Sequence, residues 1–390
     1  MAADGSILIA GGGIGGLALA LALARTGRSS VVVERALEFE PIGAGIQIGP
    51  NGVRVLARLG LAEALHPLVG TPEALEARAG ASGRLLARLP LGAWIAARHG
   101  APYWVAHRGD LHGVLLQAAL SDPRITVHTG FELASFTAGA AEVRATNQTD
   151  VTIAAPALVG ADGLWSRVRE ILHPNLAPQF AGATATRTVI TAEEAGPLAT
   201  SSVGLWLTRD VHVVHYPVRG GSEIALVIIA REEWLGRAWD QTTDARRLLA
   251  RLSGFHASLR EVLAPVEEWR KWALHTLPPL PHWSSGRVTL MGDAAHPMLP
   301  YLAQGGVLAL EDALVLAECL AAEADEARAF RRFESQRRKR ATRVQAVSRR
   351  QGRIYHLPPP LSWGRDAVLR LTPGAWLMAG FDWMYGWPPR

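Results

Sequence analysis

A run of glycines directly after a short apolar segment constrains this chain more than any other feature of its sequence. Residues 6–10 predict a strand, the letters GGGIGG predict a turn, and Leu17 to Thr26 predict a helix. Glycine permits the tight turn and lets a pyrophosphate approach the helix N-terminus closely. The sequence therefore predicts a dinucleotide site in a βαβ unit. The residues of this GxGxxG segment that we expect to contact the dinucleotide are Gly11, Gly13, Ile14, Gly15 and Gly16.

A carboxylate and two further loops narrow the choice of dinucleotide. Glu34 ends the second predicted strand, over residues 30–34, where it can accept hydrogen bonds from a ribose diol. This fingerprint alone fits FAD or NAD. Two more apolar strands, at 157–159 and 288–291, run into GADG and GDAAHP, and the carboxyl ends of parallel strands meet at one crevice. A plain nicotinamide dehydrogenase needs neither loop, so the combination favours FAD.

The remaining segments predict a second sheet and a helical end. VHVVHYPV and EIALVIIA predict antiparallel strands that cover the crevice. The pattern is helical from Gly306 to about Arg349, and the Pro- and Trp-rich tail is predicted to wrap the surface. The predicted fold class is α/β, a Rossmann-like FAD-binding domain with an inserted antiparallel-sheet substrate domain and a C-terminal helical segment. The predicted boundaries are 1–75, 100–182 and 275–345 for the FAD-binding domain, 76–99 and 183–274 for the substrate domain, and 346–390 for the C-terminal segment.

Composition and charge exclude several classes of protein. The 390 residues carry 40 Lys and Arg against 35 Asp and Glu, a formal net charge of +5 that is modest for a nucleic-acid binder. Cys319 is the single cysteine, which excludes an intrachain disulfide and a cysteine-held cluster and fits a reducing compartment. No uninterrupted apolar stretch reaches the roughly 20 residues that span a bilayer. We expect a cytoplasmic monomer or homodimer with no nucleic-acid or membrane partner.

Six segments give the chain a family resemblance. They are GGGIGG with Glu34, GAGIQIGPNGVRVLARLGL, HRGDL, GADGLWSRVR, HVVHYPV and GDAAHPMLPYLAQGGVLALEDA. In this order and spacing they resemble the class A flavoprotein aromatic hydroxylases, the family of 4-hydroxybenzoate hydroxylase, and most closely its salicylate hydroxylase and 3-hydroxybenzoate 6-hydroxylase-like branch. The resemblance implies that NAD(P)H, with NADH favoured, reduces FAD, that O2 adds at flavin C4a to give a hydroperoxide, and that a small aromatic substrate attacks its distal oxygen.

The resemblance also implies which residues contact FAD. It places Asp162 and Gly163 at the pyrophosphate, and Asp293 at the ribityl chain. The backbone N–H groups of Gly305 and Gly306, at a helix start, can face the flavin N1 and C2 carbonyl region. The residues implied to contact FAD, besides the GxGxxG segment, are Glu34, Arg35, Arg108, Asp162, Gly163, Asp293, Pro297, Gly305 and Gly306.

One predicted strand supplies the candidate catalytic residues. In VHVVHYPV the side chains alternate, which puts His212, Val214 and Tyr216 on one face and His215 on the other. The spacing of His212 and Tyr216 matches a His and Tyr pair that lines the pocket in the 3-hydroxybenzoate and 6-hydroxynicotinate hydroxylases. We expect His212 to hold or deprotonate a ring hydroxyl and Tyr216 to donate a second hydrogen bond. The alternative is a strand histidine paired with backbone or water.

The resemblance adds three residues to the pocket. Gln47 is implied to approach substrate and flavin, and Pro300 and Tyr301 to lie at the pocket edge. The 3-hydroxybenzoate branch carries glutamine where this chain has Pro300, whereas salicylate- and hydroxynicotinate-type members carry proline. No arginine of the presumed pocket is marked as a carboxylate clamp, so we expect a neutral phenol or a hydroxy-heteroaromatic ring.

Other classes of protein remain as alternatives. An NAD-dependent dehydrogenase is disfavoured by the GD loop. An FAD-dependent oxidoreductase of the same fold that does not hydroxylate a simple aromatic acid, such as a reductase or a secondary-metabolite tailoring enzyme, would share that loop. The WxWxIP-like segment of halogenases is absent. We expect no metal, because His296 has no second ligand at suitable spacing.

Overall fold

The computed structural model describes residues 5–39, 45–234 and 240–387, so Gly43 and Ala44 of the GAGIQIGP segment lie outside the described residues. The strands are β1 (Ile7–Ala10), β2 (Ser30–Val33), β3 (Gly45–Ile48), β4 (Val69–Gly70), β5 (Ala74–Ala79), β6 (Leu85–Pro90), β7 (Trp104–His107), β8 (Ile125–His128), β9 (Leu133–Ala138), β10 (Val143–Asn147), β11 (Thr152–Ala155), β12 (Leu158–Gly160), β13 (Gln179–Thr191), β14 (Ser202–Leu207), β15 (Val211–Val218), β16 (Glu223–Arg231), β17 (Asp240–Thr242), β18 (Arg270–Thr276), β19 (Ser284–Ser285) and β20 (Val288–Leu290). The α-helices are α1 (Ile14–Arg25), α2 (Pro50–Arg58), α3 (Ala62–Leu65), α4 (Gly92–His99), α5 (Arg108–Ser121), α6 (Arg167–Leu172), α7 (Ala192–Ala195), α8 (Ala245–Arg251), α9 (Ala257–Leu263), α10 (Gly305–Ala322), α11 (Glu326–Tyr355), α12 (Leu361–Leu371), α13 (Gly374–Ala379) and α14 (Asp382–Tyr385).

A six-stranded sheet carries the predicted dinucleotide loops. Its order is β19-β20-β12-β1-β2-β8, with parallel neighbours throughout except for the antiparallel pair of β19 and β20. β1, β2 and β12 are buried along their whole length, as the unbroken apolar runs of parallel strands require. The three loops predicted to converge follow β1, β12 and β20. These strands are neighbours in the sheet, which confirms the prediction.

An eight-stranded sheet forms the second layer. Its order is β17-β18-β13-β16-β15-β14-β5-β6, and its neighbours are antiparallel except for the parallel pair of β14 and β5. One face packs on α8 and α9 around a separate apolar core that includes Val213 and Leu226. The opposite face bounds a central cavity with His212, Val214 and Tyr216. The predicted alternation of β15 is therefore confirmed.

The C-terminal third differs from the sequence prediction in two ways. The helical pattern predicted from Gly306 to about Arg349 forms two helices, α10 and α11, because the chain turns at residues 323–325 and the Asp325 side chain caps α11 by accepting from the Arg328 N–H. The tail also does more than wrap the surface, since residues of α12, α13 and α14 line the central cavity. Among the helices of the described residues, none is both long and apolar enough to cross a membrane.

Two small sheets complete the described fold. The order β11-β10-β9 is an antiparallel meander, and the order β3-β7-β4 joins the segment around Gln47 to the strand that precedes α5. The second of these sheets matters for the site. It holds Gln47 on β3 and Arg108 at the start of α5 on the same cavity.

Candidate active site

A cavity of about 560 Å³ lies where the loops of the six-stranded sheet meet the inner face of the eight-stranded sheet. The glycine loops after β1, β12 and β20 form one wall, and β13, β16, β15, β14 and β5 form another. Residues from α11 to α14 close it on a further side. The predicted catalytic residues and part of the predicted cofactor residues thus face one common space. The predicted residues that line it are His212, Tyr216, Gly13, Ile14, Gly15, Arg108, Gly163, Asp293, Gly305 and Gly306.

The glycines of the first loop have two distinct roles. Gly11 has φ +109°, and a Cβ added there would lie 2.4 Å from the Ala161 carbonyl oxygen. A Cβ on Gly16 would lie 1.9 Å from the Gly11 carbonyl oxygen. Both positions therefore require glycine for packing within the protein. Gly13, in contrast, has no atom within 4 Å of an added Cβ and lines the cavity at the start of α1, together with Ile14 and Gly15.

The Glu34 side chain anchors the glycine loop by accepting hydrogen bonds from backbone N–H groups. Its Oε2 accepts from the Gly12 N–H at 2.8 Å and its Oε1 accepts from the Ala36 N–H at 3.1 Å. The carboxylate therefore stabilises the loop, and its contact with a ribose stays a prediction. Arg35 follows on the exposed surface and does not line the cavity.

The GADG loop presents backbone rather than a carboxylate. Ala161 and Gly163 line the cavity, and Gly163, at φ +75°, has open space where a Cβ would stand. Asp162 turns to its own loop, where Oδ2 accepts from the Val168 N–H at 3.1 Å and Oδ1 is buried without a partner. Burial raises the pKa of the Asp162 carboxyl. The contact of Asp162 with a pyrophosphate stays a prediction.

A buried arginine ties the GADG and GDAAHP loops together. Arg169 donates from Nη1 to the Ala294 carbonyl at 3.0 Å and from Nη2 to the Leu164 carbonyl. Because these carbonyls belong to different loops, the arginine fixes the width of the crevice between them. The Arg169 guanidinium therefore positions the two loops relative to each other.

Asp293 is the carboxylate that faces the cavity. Loss of water raises its pKa, while His296, Arg108 and Arg169 act in the opposite direction. Arg108 lines the same cavity from the start of α5, and Gly305 lines it from the start of α10.

Gly306 and Pro297 are the two remaining residues that the resemblance implies to contact FAD, and they lie on opposite sides of the cavity wall. Gly306 lines the cavity next to Gly305, and a Cβ there would lie 2.9 Å from the Ile46 side chain. Pro297 is buried behind the wall, and its carbonyl accepts from Gln345 at 2.9 Å. Gly306 is thus placed to meet a bound ligand directly, whereas Pro297 supports the loop.

The position of the GD loop depends on a buried carboxylate that the sequence analysis did not identify. Asp312 of α10 accepts from the Gly292 N–H at 3.0 Å, from His296 Nε2 at 2.6 Å and from Arg337 Nε at 2.7 Å. Burial alone would raise the pKa of Asp312, but His296 and Arg337 hold it at about 2. His296 therefore has a structural role in the GD loop.

His212 lies in the cavity wall with its ring enclosed by aromatic residues. Its Nδ1 is 2.9 Å from Nε2 of His356, and its centroid lies 5.6 Å from that of Tyr301 and 5.2 Å from that of Tyr355. Burial, and then His356, hold the pKa of His212 well below its ordinary value. The ring is therefore neutral near pH 7 and can act as a proton acceptor.

The other predicted pocket residues all line the same cavity. Val214, Tyr216, Pro300 and Tyr301 do so, and Gln47 Oε1 accepts from the Tyr103 hydroxyl at 2.7 Å. Burial raises the pKa of Tyr216 well above its ordinary value, so its hydroxyl remains a hydrogen-bond donor.

Comparison with known proteins agrees with this geometry. A family model described as FAD binding domain matches residues 4–351. The chain belongs to this FAD-binding family. It is 34% identical to a 3-hydroxybenzoate 6-hydroxylase of Klebsiella oxytoca, over 97% of this chain and 96% of the relative, and 38% identical to the 3-amino-4-hydroxybenzoate 2-monooxygenase PtnB3 of Streptomyces platensis, over 97% and 95%.

Solved structures of the family have the same fold. Klebsiella pneumoniae HpxO complexed with FAD and uric acid superposes with a TM-score of 0.88 at 25% identity, covering 97% of this chain and 96% of that one. A salicylate hydroxylase substrate complex superposes with a TM-score of 0.83 at 26% identity, covering 98% and 95%. This member of the FAD-binding family is an FAD-dependent aromatic monooxygenase that uses NAD(P)H and O2.

The residues of this member fit FAD by their own chemistry. Gly13 and Gly163 leave open backbone at the cavity wall, where a phosphate can approach N–H groups. Asp293 faces the cavity as an acceptor for a polyol. Four further residues line the cavity or contact a residue that does, and no local sequence pattern marks them: Tyr103, Arg187, Tyr355 and His356.

Proposed function

We propose that this monooxygenase hydroxylates a small phenolic or hydroxy-heteroaromatic ring, with His212 as the base for the ring hydroxyl. The observation that carries the proposal is the place of His212, neutral and hydrogen-bonded, in the cavity that the cofactor loops also line. The named substrates of the relatives, 3-hydroxybenzoate and 6-hydroxynicotinate, support a ring that bears a hydroxyl group. FAD, when bound and reduced by NAD(P)H, supplies the activated oxygen, and NADH is the favoured reductant.

The histidine pair defines how His212 takes a proton. Both rings are neutral near pH 7, because burial lowers the pKa of His356 to about 4 and the pKa of His212 is also lowered. If Nδ1 of His212 donates to Nε2 of His356, then Nε2 of His212 carries the free lone pair. That lone pair accepts the proton of a ring hydroxyl, which makes the ring electron-rich for attack on oxygen.

His356 gives the proton a way out of the substrate cavity. It lines a second, smaller cavity of about 120 Å³ on the far side of Tyr301, together with Arg231, Arg349 and Arg353. When His212 gains a proton at Nε2, its Nδ1 proton passes to His356, and His356 releases a proton to water in the second cavity. The substrate side can thereby stay dry, which protects the activated oxygen.

Other side chains support the orientation of the ring. Tyr216 presents a hydroxyl donor from the same strand face, and Tyr103 holds Gln47 in the wall of the same cavity. Apolar walls from β5, β6 and β14 exclude water and leave room for an apolar substituent. These wall residues are Leu75, Ala77, Leu89, Val203, Leu205 and Leu207.

The test compares two histidines of β15 that face opposite sides. FAD-loaded wild type, His212→Gln and His215→Gln are assayed with salicylate, 3- and 4-hydroxybenzoate, 6-hydroxynicotinate and simple phenols. The assay follows NADH oxidation, hydroxylated product and hydrogen peroxide. We expect His212→Gln to keep FAD but lose about 100-fold or more in hydroxylation, while His215→Gln retains it. Equal hydroxylation by wild type and His212→Gln would contradict the proposal.

A further inference from the structure

The central cavity extends beyond the residues proposed to hold the ring. From β15 it continues over β14, β5 and β6, the three strands that complete this end of the eight-stranded sheet. Neighbouring strands lie about 4.8 Å apart, so β6 is about 14 Å from β15, which is wider than one aromatic ring. We call this part of the cavity the apolar lobe. The residues of its floor are Val203, Leu205, Leu207, Leu75, Ala77 and Leu89.

Strand register makes the floor of the apolar lobe continuous with the wall that carries His212. Leu207 of β14 pairs with His212, and Leu205 pairs with Val214. Leu205 pairs in turn with Ala77 of β5. Side chains that are paired across strands share one face of the sheet. A ring whose hydroxyl group meets His212 therefore lies beside the apolar lobe.

A short helix covers the apolar lobe. Leu377 and Met378 of α13 line the cavity, and Met378 is buried. The helix packs on β6, where Gly374 meets the backbone of Arg88. The cavity residues that β14, β5, β6 and α13 contribute are all apolar. The floor and the cover of the apolar lobe therefore offer a bound group no side-chain hydrogen bond.

The charged residue that α12 brings to the cavity is already paired within the protein. Arg365 donates from Nε to Asp366 Oδ1 at 2.9 Å and from Nη1 to the Ile354 carbonyl at 3.3 Å. A polar ligand group placed in the apolar lobe would therefore lose its water without gaining a hydrogen bond, which costs free energy. An apolar group gains free energy from the same burial. The apolar lobe thus favours an apolar part of a ligand.

We propose that the substrate is a hydroxyarene with an apolar substituent, an alkyl or aryl group, and that the apolar lobe binds this substituent. The proposal rests on the proposed hydroxylation and narrows its substrate class. The apolar edge of the flavin ring system is the other candidate for this space. The glycine loops that suit FAD belong to the six-stranded sheet, whereas the apolar lobe is formed by one end of the other sheet and by α13. This separation favours the substrate.

The experiment measures ligand binding separately from turnover. The probes are phenols and salicylates with an alkyl chain, from methyl to pentyl, placed ortho, meta or para to the hydroxyl group, and analogues whose chain ends in a second hydroxyl group. Each is titrated into FAD-loaded enzyme without NADH, and Kd is read from the change in flavin absorbance. Ala77→Leu fills the apolar lobe and Leu205→Ala enlarges it. Leu226→Ala is the matched control, because Leu226 is buried on the opposite face of the same sheet.

We expect the wild-type Kd to fall about fourfold for each added methylene at one ring position, until the apolar lobe is filled, and a hydroxyl group at the chain end to cancel the gain. Ala77→Leu should weaken binding of the longest chains by about tenfold or more and leave the methyl compounds unchanged. Leu205→Ala should move the best chain length upward. Leu226→Ala should follow wild type.

Three outcomes overturn the proposal. The first is a wild-type Kd that does not fall with chain length at any ring position. The second is a chain-length dependence that neither Ala77→Leu nor Leu205→Ala alters. The third is loss of FAD from Ala77→Leu while Leu226→Ala retains it, which would assign the apolar lobe to the cofactor. An enzyme that shows the expected dependence but forms no hydroxylated product contradicts the proposed hydroxylation and leaves the substituent site standing.

Discussion

His212 and His215 show how the same residue type acquires different roles on one strand. Both are buried on β15, but His212 faces the cavity and His356, whereas His215 packs on the outer face against Gly204, where an added Cβ would lie 1.9 Å from its Nε2. The pKa of His215 is lowered to about 4, chiefly by burial. The contacts around each ring, rather than the residue type, therefore decide which histidine can do chemistry.

The proposed proton route through His356 can be tested by replacing this single residue. His356→Gln leaves an acceptor for His212 Nδ1 but cannot pass a proton on, so we expect kcat for hydroxylation to fall about tenfold or more with ligand Kd unchanged. In His356→Ala, added imidazole should restore part of the rate.

The proton route through His356 also requires that the charged groups around the His356 ring set the pH at which this ring gains and loses a proton. Arg231, Asp210 and Arg365 are the charges that act on His356, and Arg349 and Arg353 line its cavity. The pH–rate profile should therefore move in His356→Gln. An unaltered kcat and profile in the glutamine variant, or no response of His356→Ala to imidazole, would show that the pair is only structural.

Among the elements, the short C-terminal helices form one wall of the cavity. A Cβ on Gly374 would lie 1.9 Å from the Arg88 carbonyl oxygen, so α13 packs directly on the backbone of β6. Leu377 and Met378 of α13 line the cavity. The close approach at Gly374 therefore fixes how near α13 lies to β6.

Gly374→Ala should displace α13 and admit water. We expect a stability loss of about 1–3 kcal/mol from overpacking and more hydrogen peroxide per NADH, because water reaches the activated oxygen. Gly364→Ala on α12, where an added Cβ meets nothing within 4 Å, is the control and should behave like wild type. If both variants give the same peroxide yield, α13 is not part of the barrier to water.

The elements also show which parts of the site the sequence could predict. Strand-end loops and the alternation of β15 are local patterns, so the convergence of the glycine loops and the shared face of His212 and Tyr216 followed from the letters. That this face lines the pocket was implied by the family resemblance. The places of Arg187 and His356 in the site did not follow from the letters, because they depend on long-range pairing, with His356 placed 144 residues from its partner. The Pro- and Trp-rich composition of the tail predicted a segment that wraps the surface, but not that its helices would return to the cavity.

At the scale of the whole molecule, buried neutral histidines make stability depend on pH. The pKa of His215 is lowered from 6.5 to about 4. Below pH 6.5 the unfolded chain therefore binds more protons at this histidine than the folded chain does. The contribution of the neutral, buried His215 to the free energy of unfolding is complete above pH 6.5 and is lost as the pH falls towards 4. His356 and His212 shift in the same direction, whereas burial raises the pKa of Asp162 and Asp293, which act in the opposite sense.

Urea unfolding at pH 7 and pH 4.5 isolates the contribution of His215. Wild type should lose about 2–3 kcal/mol more of its free energy of unfolding between these pH values than His215→Gln, which has no imidazole to protonate. The comparison within one pH range cancels the carboxyl contributions that both proteins share. A loss of the same size in both proteins would show that His215 is not held neutral by burial.

The most direct test of the central claim is the fate of ¹⁸O2 in the FAD-loaded wild type, measured with NADH and each ring of the hydroxybenzoate, hydroxynicotinate and phenol panel. The account predicts that at least one ring accelerates NADH oxidation and yields a product with one ¹⁸O atom per NADH and little peroxide. Oxidation that delivers all the ¹⁸O to peroxide with every ring, or a protein that cannot retain FAD, would contradict it.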